Sequence, residues 1–197
     1  MKNIFTSLIC VLLLFLSCSK EESNNNNSVN NSDLAIGDFY EGGIVFYLDL
    51  SANHGLICDV KNLQDTYWGC RGTNISGADA TEIGYGFQNT NHIIAACSSS
   101  NGTSNAAELC YNSNAQGYTD WYLPSYDELK KMYSNKYQIE SANGVSPFGM
   151  GEFWSSSEQG PGEIGMYSAY SVNFDNGDDS VYNEKDETQK VRAIRSF

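Results

Sequence analysis

The chain has 197 residues and carries 24 acidic side chains against 11 basic ones, a net charge of −13 at neutral pH. A surface this acidic repels nucleic acid, anionic lipid headgroups and sulfated polysaccharides, so polyanions are excluded as its principal partners. Thirteen Tyr, nine Phe and three Trp supply enough large side chains for one ordinary domain core.

Met1-Lys2-Asn3 leads into an apolar run from Ile4 to Leu16 and then Ser17-Cys18. A basic start, a short apolar stretch and a small residue before the cut describe a secretory signal peptide. The run is shorter than the roughly 20 residues that a membrane-spanning helix needs. Leu14-Phe15-Leu16-Ser17-Cys18 resembles the lipobox of bacterial lipoproteins. Residues 1–17 are therefore expected to be removed, leaving Cys18 lipidated in the bacterial outer membrane. Cleavage takes away only Lys2 among the charges, leaving 10 basic and 24 acidic residues and a net charge of −14.

Residues 18–34 then form the anchor and its tether. Ser23 to Ser32 is mostly Asn and Ser, too polar to offset its own ordering entropy, and reads as a flexible linker. Ser19-Lys20-Glu21-Glu22 resembles a surface-export signal, which points to the extracellular face.

The folded part is expected over residues 35–197. Ile44 to Leu48 reads as a buried strand and His54 to Cys58 as its hairpin partner. Asp59 to Phe87 lacks a period and reads as a long ordered loop pinned by Trp68 and Cys70. Asn89 to Cys97 and Ala106 to Tyr111 look like two short helices. In Asp120 to Leu129, Ser125 can cap a helix while Glu128 reaches back to the Ser125 amide, and Pro124 keeps Leu123 extended. Phe153 to Ser157 reads as a strand. Tyr167 to Phe174 and Val181 to Glu184 flank the turn Asp175-Asn176-Gly177-Asp178-Asp179. Val191 to Phe197 is a strand ending at the terminus. Trp68, Trp121 and Trp154 each lie in an apolar element and are expected in the core, and Arg192 and Arg195 are expected to meet carboxylates such as Asp120 or Glu128.

Cys10 and Cys18 belong to the signal and the anchor. Cys58, Cys70, Cys97 and Cys110 remain, an even number in an oxidising compartment, so two disulfides are expected. Three connectivities are open; Cys58–Cys70 with Cys97–Cys110 is favoured because each pair is near in sequence. Neither His nor Cys-x-x-Cys spacing supports a structural metal.

Several of these pieces together resemble one family. Gly37 to Leu48, Trp68-Gly69-Cys70, Gly84 to Thr90, Ala106-Ala107 with Cys110, Asp120 to Leu129, Trp154 to Ser157 and Val191 to Phe197 follow in the order of the Lcl C-terminal-like family. The resemblance covers nearly all of 36–197. It implies an α+β domain related to the C-type lectin fold, with a twisted antiparallel sheet and a few short helices. It also implies cell-surface binding, since the name-giving member attaches to sulfated glycosaminoglycans. This domain holds only Arg71, Arg192, Arg195 and scattered lysines, so polyanion binding is not carried over. The sulfatase-modifying enzymes of the same wider fold use a late pair of cysteines, and no Cys follows Cys110.

The common catalytic motifs are missing, and His54 and His92 read as structural or surface residues. The best candidate for binding is the acidic hairpin Asn173, Asp175, Asn176, Asp178 and Asp179, with Tyr170 and Tyr182 as flat faces for a sugar ring. Asp175, Asp178 and Asp179 are the candidate calcium ligands; no other cofactor is expected. The expectation is a non-catalytic surface module for a glycan or a surface protein. An envelope assembly component ranks second, and a carboxylate-dependent polysaccharide hydrolase third.

Overall fold

The computed structural model describes residues 34–51, 53–97, 103–160, 162–178 and 182–197. The signal segment, Cys18, nearly all of the tether, and Asp179 of the acidic turn lie outside the described residues. The elements run β1 (Phe39–Tyr40), β2 (Gly43–Leu48), β3 (Gly55–Cys58), β4 (Thr66–Tyr67), α1 (Gly86–Ala96), α2 (Ala106–Tyr111), α3 (Tyr126–Ser134) and α4 (Lys136–Ser141). Then follow β5 (Glu152–Glu158), α5 (Glu163–Tyr167), β6 (Ser168–Asn173), β7 (Tyr182–Glu184), β8 (Thr188–Gln189) and β9 (Ile194–Ser196).

The domain is α+β, with antiparallel sheets and a few short helices. One sheet has the order β1-β2-β3-β9, a second β5-β6-β7, and β4 pairs with β8. The expected hairpin is present, with Val45 opposite Ile57 and Ile44 opposite Cys58. The chain end returns to it as β9, where Ile57 faces Arg195 and Cys58 faces Ile194.

Two apolar clusters share the β5-β6-β7 sheet. Successive strand residues point to opposite faces, so Phe153 joins Ile44, Phe46, Leu129, Met132, Phe148 and Phe174, while Trp154 joins Trp68, Ile93, Trp121 and Val191. All three tryptophans are buried, as their apolar settings imply. Each indole N–H is satisfied: Trp68 donates to the Ser155 carbonyl, Trp154 to Thr66 and Trp121 to Ala115. A buried indole without such a partner would lose its hydration uncompensated.

The corner before α3 forms as its residues dictate. The Ser125 side chain accepts from the Glu128 amide and Glu128 accepts from the Ser125 amide at 2.7 Å. Glu128 does more than cap, because its other oxygen accepts from Gly84 N–H at 2.9 Å. A Cβ at Gly86 would come within 2.2 Å of this carboxylate, so α1 must begin on glycine to admit it. Arg195 makes the expected ion pair, bidentate to Asp120 at 2.7 and 2.9 Å. Arg192 does not: it donates to Asn62 Oδ1 and to the Asp59 and Ser146 carbonyls, with its guanidinium 4.2 Å over Phe148.

The disulfide expectation needs correction. One bridge is present among the described residues, Cys70–Cys97, with Cα atoms 5.5 Å apart, and Cys58 and Cys110 are free and buried. Closeness in sequence misleads because Cys58 ends β3 in one cluster, while Cys70 packs against the other, which also holds Cys97. Cys70, in the loop, is carried instead to the end of α1. Burial pushes the Cys58 thiol up to about 12, and Cys110 is raised by the same cause, so both are poor nucleophiles.

Alkylation of unreduced native protein should therefore leave Cys58 and Cys110 unmodified until denaturant is added, and peptide mapping should join Cys70 to Cys97; a Cys58–Cys70 peptide would contradict the fold. Burial also raises the carboxyls of Glu128, Glu158 and Asp59 above their ordinary values. A raised carboxyl binds its proton more tightly when folded, so its contribution to stability is present in acid and is lost as pH rises through the folded value. Urea unfolding should show that loss above about pH 4.5, and Glu128→Ala should reduce it while costing about 3 kcal/mol through orphaned amides.

Candidate functional site

The acidic turn is built mainly to hold itself. Asn173 Oδ1 accepts from the Asp175 amide at 2.8 Å and Asn176 Oδ1 from the Asp178 amide at 2.9 Å. Asp175 Oδ2 accepts from Gly151 N–H at 3.1 Å, tying the turn to the start of β5. These are the local side-chain-to-backbone bonds that Asn and Asp make in turns. Among the described residues no three His, Cys, Asp or Glu side chains converge as metal ligands. Three of the oxygens proposed from sequence thus already accept backbone N–H bonds.

The two tyrosines beside the turn are brought together, and with company. Tyr170 on β6 lies opposite Tyr182 on β7, which places both on one face of the sheet. That face packs against α3, where Tyr126 stacks on Tyr170 with ring centroids 4.5 Å apart and planes 26° from parallel. Lys130, one helical turn on, sits 4.5 Å from the centre of the Tyr126 ring and pairs with Asp127 at 2.9 Å. The result is an aromatic strip, Tyr126–Tyr170–Tyr182, with a cation and a carboxylate at one end.

Its rigidity comes from the Pro124–Ser125 corner. Ser156 N–H donates to the Pro124 carbonyl at 2.7 Å, and Tyr126 N–H to Ser157 Oγ at 3.1 Å. The start of α3 is thereby pinned to β5, and Tyr126 is aimed at the neighbouring strand. Tyr126 and Tyr170 are half-buried, whereas Tyr182 is 53% exposed at the sheet edge. Sequence reasoning found Tyr170 and Tyr182 and missed Tyr126, because the capped corner reads as purely structural until its sheet partner is known.

His54 is exposed in the β2–β3 turn and borders a second concavity of about 470 Å³, floored by Tyr47, Leu56, Ile83 and Phe197. His92 is half-buried on α1 beside Gly77. The two histidines are thus on separate elements.

Residues 62–195 match the model of the Lcl C-terminal domain. The chain belongs to that family. No curated protein matches it. A crystal structure of a fimbrial protein from Bacteroides ovatus superposes on 82% of this chain with a TM-score of 0.50 at 13% identity. The match takes in 48% of the fimbrial chain, so the present chain spans about half its length. At that identity the likeness is one of fold. Among the described residues no helix is long and apolar enough to cross a membrane.

Because Tyr182 is exposed at the edge of its sheet, Tyr182→Ala should change the free energy of unfolding by less than about 0.5 kcal/mol. Tyr170→Ala removes a stacked ring and should cost about 2 kcal/mol. Chemical denaturation of the two variants separates a surface residue from a supporting one.

Proposed function

We propose that this is a non-catalytic binding module, tethered to the outer face of the bacterial outer membrane through lipidated Cys18, that docks a neutral glycan on the Tyr126–Tyr170–Tyr182 strip. The strip carries the reading. An exposed ring at a sheet edge, across from one member of a stacked pair, offers a flat apolar face, and a tyrosine has few rotatable bonds to lose when a sugar ring packs on it. Asp127 and Lys130 supply hydrogen-bonding groups beside it. The strongly acidic chain suits an uncharged ligand better than a sulfated one. Recognition on this face needs no calcium, since the oxygens of Asn173, Asp175 and Asn176 are engaged in the turn. The proposal includes kinship with the C-type lectin fold, supported by the antiparallel strands and flanking short helices.

Fold likeness to a fimbrial protein favours a second reading, in which the same face engages a protein of the cell envelope during assembly. A glycan array probed with residues 35–197 discriminates the two. The first reading predicts binding to a subset of neutral glycans, weakened about tenfold or more by Tyr182→Ala and unchanged by a chelator. A blank array, with one envelope protein reproducibly cross-linked in cells, would replace it with the second.

A further inference from the structure

Lys185 follows β7, and its side chain is fully buried together with that of Glu158 at the end of β5. Its backbone is fixed from three sides. Lys185 N–H donates to the Tyr167 carbonyl at 2.8 Å, and its carbonyl accepts from Trp68 and Gly69 at 3.0 and 3.1 Å. The ammonium lies 4.5 Å from the centre of the Trp68 ring, donates to the Thr73 carbonyl at 2.9 Å, and makes a short hydrogen bond to Glu158 Oε1. The other carboxylate oxygen, Oε2, accepts from the side-chain amide of Asn74 at 3.0 Å. Glu158 thus stands between an amine and a carboxamide, and the amine already touches the residue that precedes the carboxamide. Gly165 lets the chain approach the exposed Asn74 closely: a Cβ there would sit 2.7 Å from Asn74 Nδ2.

We propose that Lys185 and Asn74 are joined by an intramolecular amide bond, formed by the protein itself with Glu158 as the acid–base group. The ammonium first gives a proton to the Glu158 carboxylate, leaving a neutral amine and a carboxylic acid. The Nζ lone pair then attacks Asn74 Cγ while the Glu158 acid protonates the amide oxygen. As the C–Nδ2 bond breaks, Glu158 relays the proton from Nζ to the departing nitrogen, which leaves as ammonia; the carbonyl re-forms by giving up the proton on its oxygen, and the ammonia carries that proton away as ammonium. One C–N bond forms, one breaks, nothing is oxidised or reduced, and Glu158 is regenerated. Burial favours the neutral forms this sequence needs, since desolvation raises the Glu158 carboxyl and lowers the Lys185 ammonium.

The bond ties the loop that follows Cys70 to the chain three residues beyond Tyr182. Peptide mapping by mass spectrometry of the full-length protein purified from cells tests it. The expected result is a branched peptide joining the Asn74 and Lys185 segments, lighter than their sum by one ammonia, with no cleavage after Lys185. Asn74→Asp should give the same branch through loss of one water instead, and Asn74→Ala should abolish it. Linear, unmodified Asn74 and Lys185 peptides from the unaltered protein would overturn the proposal, as would a water-loss product joining Lys185 to Glu158.

Discussion

Three basic residues close to the C-terminus, Lys185, Arg192 and Arg195, are buried, and each meets segments far away in sequence. Lys185 meets Glu158 and the Thr73 carbonyl; Arg192 meets Asn62, Asp59 and Ser146; Arg195 meets Asp120 and the Glu41 carbonyl. Removing one partner from such a group leaves a buried donor unsatisfied, at a cost of about 1–3 kcal/mol. The last stretch of chain therefore acts as a clasp. It rests against the N-terminal hairpin, the 59–76 loop and β5. In it, β9 completes the four-stranded sheet and β8 pairs with β4.

That clasp also explains how a domain of such short elements presents an ordered surface. The β5-β6-β7 sheet is gripped from both faces, by the Phe153 cluster on one and the Trp154 cluster on the other. Lys185 fixes the chain just beyond β7 to Trp68 and Gly69, and the Pro124–Ser125 corner fixes α3 to β5. Tyr126, Tyr170 and Tyr182 are thus held by separate constraints that converge on one strip. The strip is small, and the stacked Tyr126 and Tyr170 rings in it are held in position by the fold itself.

Features written in local sequence were legible. The Ser125–Glu128 capping box needs only residues three apart, and the 44–48 and 54–58 strands announce themselves by an apolar run and a turn. The Arg195–Asp120 pair followed from charge balance in an acidic chain. Interactions chosen by three-dimensional meeting were not legible. The partner of Cys70 is decided by where α1 ends, and the two-residue ladders of β4 and β8 carry no period at all. Glu158 and Lys185 look like ordinary surface charges until both prove to be buried. Tyr126 was hidden for a related reason, because a residue at the first position of a capped helix is read with the cap unless its neighbour across the sheet is known.

The most direct test of the proposed ligand face is residue-resolved NMR of the domain titrated with a neutral oligosaccharide that it retains. Shifts concentrated on the rings of residues 126, 170 and 182, saturating together, are the predicted outcome. Saturable shifts confined to the Tyr47–Phe197 concavity, with those three rings unmoved, would contradict the account.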